Sequence, residues 1–286
     1  MADSFEIVRT IEALRARVRA WQHDGHRVGL VPTMGGLHAG HLALVQASRK
    51  QTDKTVATLF VNPKQFGPSE DFESYPRDEE RDVKLFTDEG THLLFVPPTG
   101  EMYPDGFSTS VSVANIGGIL EGEYRPGFFT GVATVVTKLL LQAGADQAFF
   151  GEKDYQQLQV INRLVTDLNI PVEISGVATV RENDGLALSS RNQYLTPQER
   201  GTAPALYKTI TDVAEKIKHG ENVSNAEVWG SETLIAAGFE SVDYVSARDA
   251  HTLEPLVDPR KTGRVLAAAK LGKARLIDNV PIADPI

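Results

Sequence analysis

Short apolar runs alternate with helical patterns over the first two-thirds of this 286-residue chain, and this alternation is the feature that most constrains its fold. The runs are rich in Val, Leu and Phe, as expected for strands that are covered on both faces. They span residues 27–31, 56–61, 92–96, 147–150 and 172–180. The helical stretches between them span residues 40–50, 77–89, 131–142 and 154–168. The alternation predicts an α/β fold with a doubly wound, Rossmann-like parallel sheet.

In the last third of the chain, helices are followed by strands without this alternation. Thr196, Pro197 and Glu199 form a helix-start signature, in which a capping residue precedes Pro and a Glu follows three residues after the cap. We expect a long helix from there to His219. A second helix is expected over residues 225–237, and strands over 241–247, 264–270 and 274–277. The predicted domains are residues 1–186, which are Rossmann-like, and residues 187–286, which are smaller and α+β.

The composition excludes several classes of protein. Lys and Arg number 29 against 38 Asp and Glu, giving a net charge of −9, which disfavours a nucleic-acid partner because such partners require a basic face. The chain has no Cys, so disulfides and thiolate metal sites are excluded. No apolar run approaches the roughly 18 residues of a membrane span, and the charged N-terminal segment does not resemble a signal peptide. We therefore expect a cytoplasmic protein without a membrane partner.

The strongest local signal spans residues 31–41, where Val-Pro-Thr-Met-Gly-Gly-Leu-His-Ala-Gly-His follows a predicted strand and opens a helix. Open α/β sheets bind ligands at such places. The adjacent glycines permit a tight turn and a close approach of ligand to backbone, and exposed N–H groups at the helix start favour an anion. Gly35 and Gly40 have the spacing of a phosphate loop. His41 and Leu42, however, replace the Lys and Ser/Thr that such a loop needs, so no Walker A site is predicted.

His38 and His41 are three residues apart, so we expect them on one helical face. Two imidazoles that face a phosphate would donate hydrogen bonds to charge developing there and stabilise displacement at phosphorus. A two-histidine zinc site usually has a spacing of four and a nearby acid, and the motif has neither. The pair resembles the His-x-Gly-His signature of the class I adenylate-forming and nucleotidyl-transferring superfamily, in which the glycine, here Gly40, leaves room for adenine. The motif alone does not choose between families.

Three further segments and the run Pro32–Gly35 resemble the signatures of the pantoate–β-alanine ligase family, the pantothenate synthetases. The segments are residues 60–66 with 75–77, residues 149–158, and residues 186–192. All fall at strand ends or at the domain boundary, where site loops are expected. The resemblance extends to residues 275–279 and covers essentially the whole chain. It implies a homodimeric ligase that condenses (R)-pantoate with β-alanine through a pantoyl-adenylate, using ATP with Mg²⁺. We further expect the smaller domain, residues 187–286, to cover the site.

The resemblance also implies roles for individual residues. Gln65 and Gln157 match pantoate-binding positions, which suits amides that both donate and accept, and the match to Gln65 also touches β-alanine. Lys153, together with the two histidines, is implied to be catalytic because it offers a cation to the developing charge. Asp82 matches an acidic position near magnesium. The implied ATP-binding residues are Met34, Gly35, Gly36, Leu37, His38, Gly40, His41, Gly151, Glu152, Lys153, Asp154, Val180, Leu188, Ser189, Ser190 and Arg191.

The chain departs from the family pattern at a few positions. Phe128 stands where the family usually has a histidine, Lys64 where methionine is common, and Leu188 where methionine or leucine occurs. The change at Phe128 bears on any catalytic or oligomer contact made by that histidine. It does not involve the residues implied to bind ATP and pantoate.

Two other functions stand beside this interpretation. A nucleotidyltransferase such as a phosphopantetheine adenylyltransferase shares the paired histidines but keeps AMP in its product. The segment Gly151–Gln157 and the C-terminal domain, which serve a second substrate here, argue against it. A non-catalytic nucleotide-binding module would not require His38, His41 and Lys153 together.

Overall fold

The computed structural model describes residues 5–68, 70, 72–258 and 261–282. Contacts within the chain divide it into two compact units. The first comprises Met1–Glu152 and Val160–Ala178, and the second comprises Lys153–Gln159 and Thr179–Ile286.

In the described part of the first unit, six parallel strands form a central sheet. The strands are β1 Glu6–Val8, β2 Val28–Thr33, β3 Lys54–Leu59, β4 Leu93–Phe95, β5 Gln147–Gly151 and β6 Glu173–Val177. Their order across the sheet is β1-β4-β3-β2-β5-β6, so the strands after β2 first extend the sheet to one side and then, from β5, to the other. This order confirms the predicted doubly wound sheet, with its switch point beside β2.

Seven helices belong to this part of the chain as described, and the last of them begins within the second unit. They are α1 Ile11–His23, α2 Ala39–Gln51, α3 Glu79–Asp88, α4 Thr99–Met102, α5 Glu121–Tyr124, α6 Phe128–Ala143 and α7 Tyr155–Asp167. Helix α1 packs against α6, and α2 packs against α3. Because crossovers between parallel strands are right-handed, these two pairs lie on opposite faces of the sheet. No helix of the described residues is long and apolar enough to cross a membrane.

The sequence prediction omits the strand β1, the helix α1 and the four-residue helices α4 and α5. Strand β1 has only three residues and lies at the edge of the sheet, where it pairs with β4, so it has too little pattern to be predicted. Helix α1 is different. Its N-cap Thr10 accepts a hydrogen bond from the N–H of Ala13, and its buried residues Leu14, Val18 and Trp21 have helical spacing. That stripe is enough to predict a helix.

Besides the start of α7, the described residues of the second unit form three α-helices and a three-stranded antiparallel sheet. The elements are α8 Pro197–Thr202, α9 Ala205–Lys218, α10 Val223–Ala237, β7 Ser241–Asp249, β8 Gly263–Leu271 and β9 Ala274–Pro281. This confirms the smaller α+β part of the fold. The single long helix predicted from Thr196 to His219 is wrong, because the helix breaks before Pro204, which lacks an N–H and starts α9 as its N-cap.

Candidate active site

Two of the predicted site segments begin at the carboxyl ends of neighbouring strands. Strand β2 pairs with β3 on one side and with β5 on the other, in parallel. The chain leaves β2 toward His38 and α2, and it leaves β5 through Gly151 and Glu152. Both exits lie at one edge of the sheet, at the switch point where open α/β sheets bind ligands. The parallel topology therefore brings the starts of the two segments together.

The turn that follows β2 is held by a buried carboxylate. Gly35 and Gly36 have φ values of 91° and 64°, which glycine adopts without strain. A Cβ at Gly35 would lie 2.7 Å from Leu59 Cδ1 and 2.9 Å from Asp82 Oδ2. The same carboxylate accepts hydrogen bonds from the N–H of Gly36 at 2.9 Å and of Leu37 at 3.0 Å, and Asp82 is 1% exposed. Gly35 is thus required by the close approach of Leu59 and Asp82, and Gly36 is favoured by its positive φ.

We expect Asp82→Ala to destabilise the protein strongly. The change leaves the N–H groups of Gly36 and Leu37 buried without their acceptor, and each such loss costs about 1–3 kcal/mol. The matched control is Asp78→Ala. Asp78 is the exposed N-cap of α3, the helix that carries Asp82, and its side chain accepts from the N–H of Arg81. Loss of such a cap costs about 1 kcal/mol. Urea unfolding of both variants measures the difference. Equal losses would show that Asp82 does not hold the turn.

The two histidines cap the helix that they introduce. His38 is the N-cap of α2, so it lies one residue before the helix, and the prediction that both histidines lie on one helical face is wrong in this respect. Nδ1 of His38 accepts from the N–H of Gly40 at 3.1 Å, and Nδ1 of His41 accepts from the N–H of His38 at 3.4 Å. The ring centroids are 4.1 Å apart. A ring nitrogen that accepts a hydrogen bond carries no proton, so each neutral ring holds its proton on Nε2.

This capping changes which donors the motif presents. The sequence predicts backbone N–H groups that are available to an anion, but the N–H groups of Gly36 and Leu37 donate to Asp82. Those of His38 and Gly40 donate to the two imidazoles. The prediction, which concerned the start of the helix, is therefore wrong for the N–H groups of His38 and Gly40. The donors that the motif contributes are the Nε2–H groups of the histidine rings, whose orientation is fixed by the backbone that they cap.

The side chain of Gln65 is oriented by a chain of hydrogen bonds. Asn62 Nδ2 donates to Gln65 Oε1 at 2.9 Å, and the hydroxyl of Tyr103 donates to Asn62 Oδ1 at 2.7 Å. Gln65 Nε2 lies 3.1 Å from Met34 Sδ. Burial raises the pKa of Tyr103 to about 12, so its hydroxyl keeps its proton and remains a donor at neutral pH. This network fixes which end of the Gln65 amide donates and which accepts.

Asn62 and Tyr103 are not among the predicted site residues. Asn62 caps the 3-10 turn Pro63–Gln65, and Asn followed by Pro is a helix-start signal that the sequence does show. No local pattern leads to Tyr103, which lies 41 residues away along the chain. Helix α6 approaches this turn so closely that a Cβ at Gly131 would lie 2.2 Å from the carbonyl oxygen of Lys64. The position of Gln65 therefore depends on tertiary packing.

Phe128, the departure from the family histidine, contacts a cation. The guanidinium carbon of Arg125 lies 3.6 Å from the centroid of the Phe128 ring. Arg125 also forms a bidentate ion pair with Glu70, at 2.7 and 2.6 Å, and donates to the carbonyl oxygen of Gln65 at 3.4 Å. An aromatic ring attracts a guanidinium through its π face. Phe128 therefore supports an arginine that contacts the backbone of Gln65.

Lys153 lies in the 3-10 turn Glu152–Asp154, directly after β5 and before α7. Its side chain is 19% exposed, and its Nζ lies 3.9 Å from Oδ1 of Asp154, whose side chain is 48% exposed. Its carbonyl oxygen accepts a hydrogen bond from Asn279 Nδ2 at 2.9 Å. Gln157 is half-buried in the first turn of α7. Lys153 is thus largely buried, and its ammonium group forms a long ion pair with the more exposed Asp154.

The remaining predicted nucleotide-binding residues come together in the second unit. The N–H of Leu188 donates to the carbonyl oxygen of Val180 at 3.0 Å, which closes a hairpin between them. Ser189 caps the 3-10 helix Ser190–Tyr194, and its Oγ accepts from the N–H of Arg191 at 3.3 Å. The hairpin therefore places Val180 beside the segment that carries the predicted serines and arginine.

Comparison with known proteins gives consistent matches over the whole chain. A family model for pantoate-beta-alanine ligase matches residues 6–281. The pantothenate synthetase of Paramagnetospirillum magneticum is 53% identical over 282 residues, covering 99% of each chain. That of Rhodospirillum rubrum is 53% identical over 277 residues, covering 96% of this chain and 98% of its own. The solved structure of pantothenate synthetase from Thermus thermophilus is 48% identical, with a TM-score of 0.91 over 97% of this chain and 99% of its own.

A second solved structure adds ligands to the comparison. The pantoate-beta-alanine ligase of Francisella tularensis, complexed with beta-gamma ATP and beta-alanine, is 31% identical to this chain. The match has a TM-score of 0.82 and covers 98% of both chains.

Proposed function

This chain belongs to the pantoate–β-alanine ligase family, and we propose that its paired histidines and Lys153 catalyse the ATP-dependent condensation of (R)-pantoate with β-alanine to pantothenate. The observation that carries this proposal is the capped histidine pair that follows β2, in which the Nδ1 of each ring accepts a backbone hydrogen bond. Transfer at phosphorus requires donors that are fixed before the reaction, because fixed donors need no reorganisation as charge develops. The ATP-type and β-alanine ligands of the Francisella relative support the same substrates for this chain.

The reaction has two steps. In the first, a carboxylate oxygen of pantoate attacks the α-phosphorus of ATP, and the bond from that phosphorus to the bridging oxygen breaks, so that pyrophosphate leaves with the electron pair. In the second, the amine nitrogen of β-alanine attacks the acyl carbon of pantoyl-adenylate. The acyl C–O bond breaks, AMP leaves with its electron pair, and the nitrogen loses a proton to give the amide. Exclusion of water would protect the intermediate from hydrolysis.

The catalytic residues act on the charge of the first step. The Nε2–H groups of His38 and His41 donate to the oxygens of the α-phosphate, where negative charge develops. Lys153 supplies a cation to the oxygen shared between the pantoate carboxylate and that phosphate. None of these groups needs to gain or lose a proton in this step. Their contribution is a fixed set of donors.

The other predicted residues bind substrates. Gln65 and Gln157 bind the hydroxyls and carboxylate of pantoate, and Gln65 also contacts β-alanine. The oriented amide of Gln65 supports this assignment because its donor and acceptor ends are fixed by Asn62. Gly151 and Asp154 bind the ribose. The rest of the nucleotide is bound by Met34, Gly35, Gly36, Leu37, Gly40, Glu152, Val180, Leu188, Ser189, Ser190 and Arg191, the last three at the outer phosphates.

Magnesium enters this proposal as part of the MgATP substrate. Among the described residues, no group of three or more His, Asp or Glu side chains is arranged to hold a metal ion. The assignment of Asp82 as a magnesium ligand stays a prediction. In this structure both of its carboxylate oxygens accept backbone hydrogen bonds, from the N–H groups of Gly36 and Leu37. Mg²⁺ is commonly held mainly by substrate phosphates and water. A homodimer, a cytoplasmic location and closure of the site by residues 187–286 also stay predictions.

The alternative of a nucleotidyltransferase is not favoured, because the family match spans residues 6–281 and thus includes the segments assigned to the second substrate.

One assay separates the ligase from a nucleotidyltransferase and from a binding module. Pyrophosphate release from ATP with pantoate alone should stop near one equivalent per site, and adding β-alanine should start continuous release of AMP. Continuous pyrophosphate release without β-alanine, with AMP retained in the product, would indicate a nucleotidyltransferase. Absence of pyrophosphate release would indicate a binding module.

Gln157→Ala should raise the Michaelis constant for pantoate by about 10-fold or more and that for ATP by much less, since a site built to hydrogen-bond substrate hydroxyls loses its partner. Gln159→Ala is the matched control, because Gln159 is also half-buried on α7 but two residues along, where it faces a different direction. Separate titrations of pantoate and ATP measure the two constants. A larger rise for ATP would contradict the pantoate assignment.

A further inference from the structure

Asn279 on β9 contacts the catalytic segment through its amide. Its Nδ2 donates to the carbonyl oxygen of Lys153 at 2.9 Å, across 126 residues of sequence, and the residue is 3% exposed. Its Oδ1 accepts a hydrogen bond from Nη1 of Arg264. An amide has one donor end and one acceptor end, so the bond from Arg264 fixes Nδ2 toward Lys153. The sequence segment that contains Asn279 carries no role in the proposed reaction.

A second set of contacts fixes the backbone at Asn279. Arg181 forms a bidentate ion pair with Asp278, with its Nη1 and Nη2 at 2.6 and 2.9 Å from the two carboxylate oxygens. Arg181 also donates to the carbonyl oxygen of Asn279 at 3.3 Å, and Asp278 Oδ1 accepts from the N–H of Asn279 at 2.7 Å. Bidentate geometry restricts orientation as well as distance. Asn279 is therefore held at its side chain and on both sides of its backbone.

The same part of the second unit also holds the residue that follows the lysine turn. The guanidinium carbon of Arg264 lies 3.8 Å from the centroid of the Tyr155 ring, and the hydroxyl of Tyr155 donates to the carbonyl oxygen of Ala250 at 2.9 Å. Arg264 thus contacts both Asn279 and the start of α7. The contacts from β8 and β9 fix the backbone on which Lys153 is carried.

We propose that Asn279 is a positioning residue for Lys153: it holds the lysine backbone so that the ammonium group is placed for adenylate formation. This inference rests on the proposed role of Lys153 and adds a residue to it. A cation held in position before the reaction stabilises developing charge more than one that must reorganise, and small misplacements at a reacting centre are costly in rate. The effect of Asn279 should therefore be confined to the first half-reaction.

The test replaces the donor without changing the size of the side chain. Asn279→Asp keeps an acceptor for Arg264 but sets a carboxylate oxygen against the carbonyl oxygen of Lys153. We expect ATP–pyrophosphate exchange to fall about 10-fold, while pantothenate formation from chemically made pantoyl-adenylate and β-alanine stays within about twofold. Arg275→Ala is the matched control, because Arg275 lies on the same strand as Asn279 and the change breaks its ion pair at 2.7 Å with Asp243 on β7. It should leave both half-reactions unchanged.

A double-variant cycle separates positioning from a general structural role. If Asn279 acts through the lysine ammonium group, Asn279→Asp should change the residual exchange rate less than about twofold in a chain that already carries Lys153→Ala. A full additional loss in that background, or equal losses in both half-reactions, would overturn the proposal. Should Asn279→Asp fail to fold, Asn279→Ser removes the reach of the amide without adding charge and is measured in the same assays, with the same outcomes deciding.

Comparison of the Lys153→Ala and Asn279→Asp variants separates the role of Asn279 from that of Lys153. Exchange that is lost in Lys153→Ala but kept in Asn279→Asp would overturn only the role of Asn279. Exchange that survives Lys153→Ala would overturn both. Thermal unfolding of each variant shows whether a loss of rate reflects a loss of folded protein.

Discussion

Lys153→Ala is expected to lower ATP–pyrophosphate exchange by about two to three powers of ten, the range typical for loss of one fixed electrostatic contact in an enclosed site. Each power of ten corresponds to about 1.4 kcal/mol of transition-state stabilisation. The structure supports a large effect because the lysine side chain is only 19% exposed, and the carboxylate of Asp154 lies 3.9 Å away, longer than a hydrogen bond. An exposed lysine paired with a carboxylate would contribute under about 1 kcal/mol.

Two measurements check this expectation. Exchange of labelled pyrophosphate into ATP reports the first half-reaction, and conversion of supplied pantoyl-adenylate with β-alanine reports the second. The variant should fail in the first assay and remain active in the second. Lys270→Ala serves as control because Lys270 forms an ion pair with Glu240 at 3.0 Å and is 54% exposed. If the two lysine variants behave alike, Lys153 has no catalytic role.

The sheet is predictable because burial on both faces leaves a simple signal. Strands β2, β3 and β5 appear in the sequence as short apolar runs, and the predicted runs overlap the observed strands. The edge strand β1 lacks this signal because it has three residues. The break at Pro204 also has a signal in the sequence, since proline cannot donate to a helix ladder. The sequence from Thr196 to His219 otherwise reads as one helix, and Pro204 divides it into α8 and α9.

The site is predictable in its segments but not in its contacts. Motif spacing identifies His38 and His41, yet it does not show that both rings cap the helix, because capping depends on rotamers set by the folded turn. Asp82 holds that turn from 46 residues away, and Asn279 contacts Lys153 across 126 residues. Local periodicity carries no information about such pairs. They follow from the fold, once the strands and helices are packed.

His41→Ala is expected to lower adenylate formation by about two to three powers of ten, with little change in the Michaelis constant for ATP, because a donor to the transition state is lost. The side chain has two functions in this structure, and alanine removes both. Its Nδ1 accepts from the N–H of His38 at 3.4 Å, and this contact caps α2. Its Nε2–H is the proposed hydrogen-bond donor to the α-phosphate. Loss of the cap alone should cost about 1 kcal/mol of stability.

His41→Asn separates the two functions of the ring. The Oδ1 of asparagine can take the place of Nδ1 as acceptor for the N–H of His38, but the side chain has no donor that reaches the position of Nε2. We expect this variant to regain the thermal stability lost in His41→Ala and to remain as slow as His41→Ala in pyrophosphate exchange. Recovery of the rate together with the stability would mean that His41 only caps α2. In that event His38, whose ring lies 4.1 Å away, would be the sole histidine of the motif that acts on the phosphate.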